Sequence, residues 1–431
     1  MRKLVKTILV GCILSGSFLF FFLFAAFYFL HTDYAGQKIQ SEINKSIPGT
    51  IQWGKHKVSI FSGSIEMERL RLKDPDGKDV IFLPHLFLKI SWTDIPLGIL
   101  TFEKAVFNNP EVQLYEDETG ELNLIKSLVK NEESSEETSV PGFPLNVKIE
   151  NAILREGELQ YQTSSDTRII LPKIGIEVEK ADLLKQEAVI SIELSGGEIF
   201  LETIRSQLDS VRLKTRLSHN QLSSLSINLI TKNGSHVKAS GSITEVFDQF
   251  QPELEIEING EINDILRSFL LYEEVHGIIA VKGFLKGSLA NPGIGIVARC
   301  LDGDVMGTRV DQAELFCHMD NGTVKIEKAS LILPFGSLNA NGDMNVQKAF
   351  PRGFLSDFVD VDEIDYRFAG SFHPARTRVQ LSFLNGTSGI FQSGFEINGK
   401  GFSSANRFGT ISLESVVENL RKENILEISD M

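Results

Sequence analysis

The 431-residue chain is short of cysteine, histidine and positive charge, and each shortage removes a class of function. Cys12, Cys300 and Cys317 are too few for a disulfide framework. With a strand placed between Cys300 and Cys317, near residues 303–310, the pair would stand roughly 9–10 Å apart, beyond disulfide reach. Both are therefore read as buried free thiols. The eight histidines are scattered, with no His-Glu-x-x-His and no Cys-x-x-Cys, so a metal centre has no support. There is no P-loop and no Gly-x-Ser-x-Gly elbow, and Gly293-x-Gly295 stops short of a dinucleotide fingerprint. The net charge is −14, and residues 1–30 hold only Arg2, Lys3 and Lys6, which leaves −17 on the rest. A nucleic-acid partner needs a basic face, and electrostatic docking of the body on anionic lipid needs the same.

Acidic residues are plentiful but do not converge. Asp74, Asp76 and Asp79 suggest calcium, yet an EF-type loop begun at Asp74 needs Gly at 79 and Glu at 85, where Asp79 and His85 stand. Asp76-Gly77 reads instead as a hairpin turn. Glu111, Glu116, Asp117, Glu118 and Glu121 surround a strand and a turn. Glu111 and Tyr115 share a face opposite Val112 and Leu114, so Glu111 is a solvated sheet residue and not half of a glycosidase pair. The chain is read as no enzyme, with no catalytic residue, cofactor or metal.

What is present begins at Thr7–Leu30, 24 residues without a charge. As a helix they would extend about 36 Å against a hydrocarbon core of about 30 Å. Arg2, Lys3 and Lys6 precede them, an arrangement that keeps the N-terminus cytoplasmic and sends the body across. Leu9-Val10-Gly11-Cys12 matches a lipoprotein box, but its apolar run follows the cysteine, the wrong order for a cleaved signal. An uncleaved single-pass anchor is expected.

Beyond residue 50 the period is two. Leu254–Gly260 alternates strictly, as do the runs through Leu225, Val211, Leu315 and Val379. Asp76-Gly77, Asn233-Gly234, Asp302-Gly303, Asn321-Gly322 and Asn385-Gly386 punctuate them as hairpin turns. The body is thus expected to be mostly antiparallel sheet with one apolar face. An apolar-x-apolar-x-Gly-x-apolar repeat puts Gly241, Gly260, Gly283, Gly342 and Gly399 on that inner face, as bends or close approaches. Asn259-Gly260 and Asn341-Gly342 also fit turns. Helices are expected at Thr32–Ser46, at Leu122–Lys130 with Asn123 as cap, at Ile262–Glu274 and at Leu413–Lys422. These are too few to cover a sheet of roughly 20–25 strands, about 100 Å across at about 4.8 Å each. The sheet must fold over, close as a sandwich, or hold an apolar ligand.

One stretch carries a resemblance. Val106, Pro110, Val112, Leu114, Asp117, Gly120, Leu122, Asn123 and Leu124 form an apolar-x-x-x-Pro-x-Val-x-Leu strand, an acidic turn and a Leu-Asn-Leu helix start. This resembles the N-terminal module of the AsmA-like family, which includes TamB-type proteins. Ile90–Gly98 and the hairpins before it fit the same module, and Val281–Ile294 resembles segments found along TamB-type chains. The likeness covers residues 1–130 well and 230–350 loosely. Long members continue far beyond 431 residues, whereas this chain ends in SLESVVENLRKENILEISDM.

The resemblance implies an inner-membrane anchored protein of the Gram-negative periplasm, built as an elongated, curled antiparallel β-sheet groove. Residues 1–6 would be cytoplasmic, 7–30 the transmembrane helix, 31–130 the N-terminal β module and 131–144 an acidic linker. Residues 145–404 would form the groove, and 405–431 a C-terminal helix and tail. The expected role is lipid binding and transfer supporting phospholipid traffic to the outer membrane. Phospholipid acyl chains, the inner membrane and an outer-membrane or periplasmic protein would be its partners. Leu254, Ile256, Ile258, Ile279, Val281, Leu285, Leu315, Val324 and Ile326 are the lipid-contact candidates. The alternative is an assembly scaffold for outer-membrane proteins without lipid transport.

Overall fold

The computed structural model of the protein describes residues 32–59, 62–117, 119–129, 146–163, 167–201, 204–268, 275–305, 307–355, 360–374, 379–381, 387–401, 408–422 and 426–427. The expected anchor over 7–30, the linker over 131–144 and the Asn385-Gly386 turn lie outside these residues. Among the described residues no helix is long and apolar enough to cross a membrane. The chain divides into two units, Met1–Arg205 with Leu217–His219, and Ser206–Arg216 with Asn220–Met431. Strands dominate both, with few helices.

The first unit opens with helix α1 (Asp33–Ser46). The Thr32 hydroxyl accepts the Ala35 N–H at 3.3 Å, a side-chain cap on an otherwise orphan donor. The chain then forms β1 (Thr50–Gln52), β2 (His56–Ser59), β3 (Ser64–Lys73), β4 (Asp79–Ser91), β5 (Ile99–Asn108) and β6 (Glu111–Tyr115). Helix α2 (Asn123–Leu128) precedes β7 (Asn146–Gln162), β8 (Arg168–Asp182) and β9 (Glu187–Leu201). β5 and β6 are one strand broken at Asn109-Pro110, where Asn109 takes a positive φ of 51° and Pro110 has no N–H to give. The 17-residue β7 runs parallel to both halves. That parallel pairing is the exception in a sheet that is otherwise antiparallel, as its period led one to expect for most of it. A parallel neighbour needs a crossover, and the chain between Tyr115 and Asn146 makes it.

Asn123 does not cap α2. Leu122 holds the cap position, while Asn123 is buried, its Nδ2 donating to the Gln113 carbonyl at 2.9 Å and its Oδ1 accepting the Tyr115 N–H at 3.1 Å. Asn123 thus ties the helix to β6. The acidic turn before it is structural too. Asp117 Oδ1 accepts from Thr119 N and Glu121 N, and its other oxygen takes Lys126. Those donors hold the Asp117 carboxyl well below the usual carboxylate range, the Lys126 ammonium first among them.

β10 (Ile204–Ser218) contributes residues to both units. The second unit continues through β11 (Gln221–Thr231), β12 (His236–Thr244), β13 (Gln251–Glu261), helix α3 (Ile262–Ser268), β14 (Val275–Ser288), β15 (Asn291–Val305) and β16 (Thr308–Asp320). It goes on with β17 (Thr323–Leu333), β18 (Gly336–Asn345), β19 (Asp365–Pro374), β20 (Val379–Leu381), β21 (Thr387–Lys400), β22 (Phe408–Lys422) and β23 (Leu426–Glu427). From β11 to β19 each strand pairs antiparallel with the next, and β19, β21 and β22 extend the series.

Several expectations are corrected here. Asp302-Gly303 is not a hairpin but an irregularity inside β15, with Asp302 at φ 49°. Cys300 and Cys317 therefore sit on adjacent strands, with no strand between. Register separates them, Cys300 opposite Ala313 and Cys317 opposite Ile296, and both are free thiols, half-buried where full burial was expected. Gly260 and Gly342 lie within strands, not turns. The helix at 262 is described only to Ser268. The helix expected over Leu413–Lys422 is strand β22. Ile411 and Leu413 alternate with Thr410, Ser412 and Glu414, and pairing to β21 overrides the local helical preference of the Glu- and Leu-rich run.

Candidate functional site

Directly opposed residues in an antiparallel ladder share a face, so the pairings of the second unit assign its paired residues to one face or the other. Ile227, Ala239, Ile256, Gly283, Ile296, Cys317, Ile326, Gly342, Phe368, Ile397 and Ile411 oppose one another in sequence across eleven strands. Ten inter-strand steps make the row about 48 Å long. One parallel row runs from Leu229 through Val237, Ile258, Val281, Ala298 and Leu315 to Phe395 and Leu413. Another runs from Leu225 through Gly241, Leu254, Leu285, Ile294, Met319, Val324 and Met344 to Gly399. No charged residue occupies any of the three, and Tyr366 carries the one phenol.

All nine lipid-contact candidates fall on this face, eight of them in these rows and Ile279 in the next, opposite Gly260 and Cys300. The five singled-out glycines are on it as well. At Gly241 and Gly342 an added Cβ would run into the carbonyl oxygen of Glu253 and of Arg367, and at Gly283 it would lie 2.6 Å from that of Gly295. These glycines let neighbouring backbones approach beneath the apolar surface.

The opposite face is charged. Glu253, Glu255, Glu257, Lys282, Lys286 and Arg299 occupy it. Ion pairs cross it at Arg299–Glu314 (3.4 Å), Lys328–Glu314 (2.7 Å) and Arg367–Glu396 (3.3 Å). The Lys328 hydrogen bond holds the Glu314 carboxyl below its ordinary value. A trough of about 840 Å³ crosses this side between two rows of polar and aromatic side chains, among them Ser240, Glu255, Lys238, Lys282, Phe284 and Phe316.

Accessibility differs between the faces. The nine candidates are all half-buried, whereas Glu253, Glu255, Lys282 and Lys286 opposite are exposed. None of the nine is fully buried. Among the described residues of this unit, the buried apolar ones are Leu225, Ile243, Ile265, Val310, Ala349 and Ile364, mostly at strand ends and connections. A closed sandwich would invert that order, with central Ile256, Val281 and Leu315 driest. At one end the segment Val346–Gly353 lies beside the apolar face and lines an open pocket of about 500 Å³ with Ile294, Met319 and Val324. Val346, Phe350 and Pro351 in that wall escaped the sequence reading because a connection carries no strand period. Burial pushes the Cys300 and Cys317 thiols up, as expected of groups on an apolar surface.

Among the described residues no cluster of three or more His, Cys, Asp or Glu side chains stands together as a metal site. Asp74 is buried and bonded to the Tyr115 hydroxyl, and its other oxygen accepts the Lys78 N–H at 2.8 Å, as in a tight turn. Glu111 is exposed. No family model, no curated protein and no solved structure matches the chain.

Proposed function

We propose that the apolar face of the second unit holds phospholipid acyl chains, and that the protein is an anchored carrier of lipid between membranes. The observation that supports this most is the pairing of three uncharged rows across eleven strands, with Leu225 buried and the nine candidate side chains only half-buried. A half-wet Leu or Ile gives up part of the roughly 1.5–3 kcal/mol that full burial supplies, and a bound acyl chain restores it along the whole face. The uncharged run at 7–30 with its basic flank, and the resemblance to the AsmA-like module, favour the inner membrane and periplasm as the setting and the outer membrane as destination. Residues 31–431, produced in a bacterial periplasm and purified without detergent, should carry several phospholipids per chain in native mass spectrometry. A lipid-free, monodisperse protein would contradict the proposal.

One observation favours a second reading, an assembly scaffold. Among the described residues β22 pairs with β21 on one side, and on the other only Arg421 and Lys422 are paired, to β23. Its remaining edge, with exposed Ile411 and Leu413, offers backbone groups to a client strand. Crosslinks from this edge to nascent outer-membrane strands, with no co-purified lipid, would favour the scaffold.

A further inference from the structure

Two turns of the first unit hold large apolar side chains in solvent at the same end of the sheet. The β4–β5 turn presents Trp92 at 45% exposure and Leu97 at 73%; the β8–β9 turn presents Leu183 at 62% and Leu184 at 77%. Register brings the turns together. Ile99 at the start of β5 pairs with Asn146 at the start of β7, and Lys148 of β7 pairs with Asp182 at the end of β8. Three strand spacings separate the two turns, about 14 Å.

Both turns are clamped. The Asp94 carbonyl accepts the Leu97 and Ile99 N–H groups at 3.0 and 3.1 Å. Buried Asp182 accepts the Lys185 N–H at 3.1 Å and pairs with Lys148 at 3.4 Å, while Asn146 Oδ1 accepts the Leu184 N–H at 3.3 Å. The leucines are thus held outward by a polar frame, where a water-facing turn would carry polar residues.

The chain enters the unit from this same end. Gly36 of α1 lies against His56, which pairs with Met67 in the middle of β3. The other end of α1 leads to Thr50, opposite Lys73 at the far end of β3. The start of α1, with exposed Tyr34, therefore points toward Ser64, Gly63 and the neighbouring Trp92 indole. In sequence, only His31 and Thr32 separate the uncharged run 7–30 from the helix.

We propose that this end of the first unit seats on the phospholipid bilayer, with Trp92, Leu97, Leu183 and Leu184 inserted at headgroup depth. The proposal rests on the reading of 7–30 as a membrane anchor. Trp at such a depth keeps its ring in apolar surroundings and its N–H wet.

The test uses the full chain with Trp53→Phe, so that Trp92 is the sole tryptophan, reconstituted in phosphatidylcholine vesicles brominated on the acyl chains. Flotation reports the anchor, and emission reports the docking. The chain should float, Trp92 emission should fall by at least half relative to unbrominated vesicles, and Leu97→Asp with Leu184→Asp should abolish most of that quenching. A floating chain with unquenched Trp92 overturns the docking alone and points to a protein partner for the patch. Quenching unchanged by the two aspartates overturns it as mere tethering. A chain that does not float overturns the anchor and the docking together.

Discussion

Ile256 and Gly283 stand opposite each other across β13 and β14, at the centre of the apolar face. The glycine leaves Ile256 flanked by a bare backbone, while the next residue on each strand, Glu257 and Lys282, approaches within 3.9 Å on the charged side. One sheet therefore separates a surface fit for hydrocarbon from a surface fit for water by the thickness of a strand.

Ile256→Glu places a carboxylate in that row. The position is half-accessible, so the charge keeps some solvent and the fold persists. Losing one well-placed apolar contact of about 1.5–3 kcal/mol and adding a charge should reduce lipid retained per chain by about tenfold or more. Val281→Asp, one row over, should act alike. Circular dichroism unchanged with lipid lost is the expected pair of results; lipid retained in a folded variant would count against the apolar face as the site.

Gly283→Ala tests the close approach. The new methyl would meet the Gly295 carbonyl at 2.6 Å, and strands would have to part, at a cost of about 1–3 kcal/mol. Gly77→Ala has open space around it and a φ of +83°, so only backbone strain of about 1–2 kcal/mol applies. Denaturant titration should rank Gly283→Ala as the more destabilising, with lipid loading reduced in that variant alone.

Much of this face was legible because alternation is local. Leu254, Ile256 and Ile258 share a side whatever their neighbours do. Which residues meet across strands was not legible, since register depends on turns and bulges such as the shift between Ile326 and Ala329. The period also failed where tertiary pairing outweighed local preference, as in β22, and where a strand found a partner distant in sequence, as β5 found β7. Asn123 looked like a cap because its residue type favours caps; its burial beneath β6 follows from the Gln113 and Tyr115 backbone groups that only the fold brings near.

Asp117 supplies a pH statement. Its carboxyl is held below the ordinary value of about 3.9 by Lys126, Thr119 and Glu121. A depressed folded value means that the stabilising contribution is complete above the unfolded value and is lost as pH falls through the folded one. The turn before α2 should thus be equally protected at pH 6 and pH 8. Asp117→Asn should speed amide exchange over Asn123–Leu128 by a similar factor at both, after correction for intrinsic rates. A difference between the two would assign the effect to another group.

Cys300 and Cys317 report occupancy directly. Their thiols are pushed up by burial, so less thiolate is present and alkylation at neutral pH should be slower than for a free cysteine. In a Cys12→Ser background, phospholipid loading should slow it several-fold further at both positions. Equal rates with and without lipid would place the lipid elsewhere.

The most direct measurement compares the two sides of one strand. A photoreactive phenylalanine analogue at Ile256 and, separately, at Glu255 would be irradiated in intact cells, and the purified chain analysed for mass adducts. Phospholipid adducts at position 256 with few or none at 255 are what a lipid-holding face requires. Adducts at neither position, or equal yields at both, would contradict it.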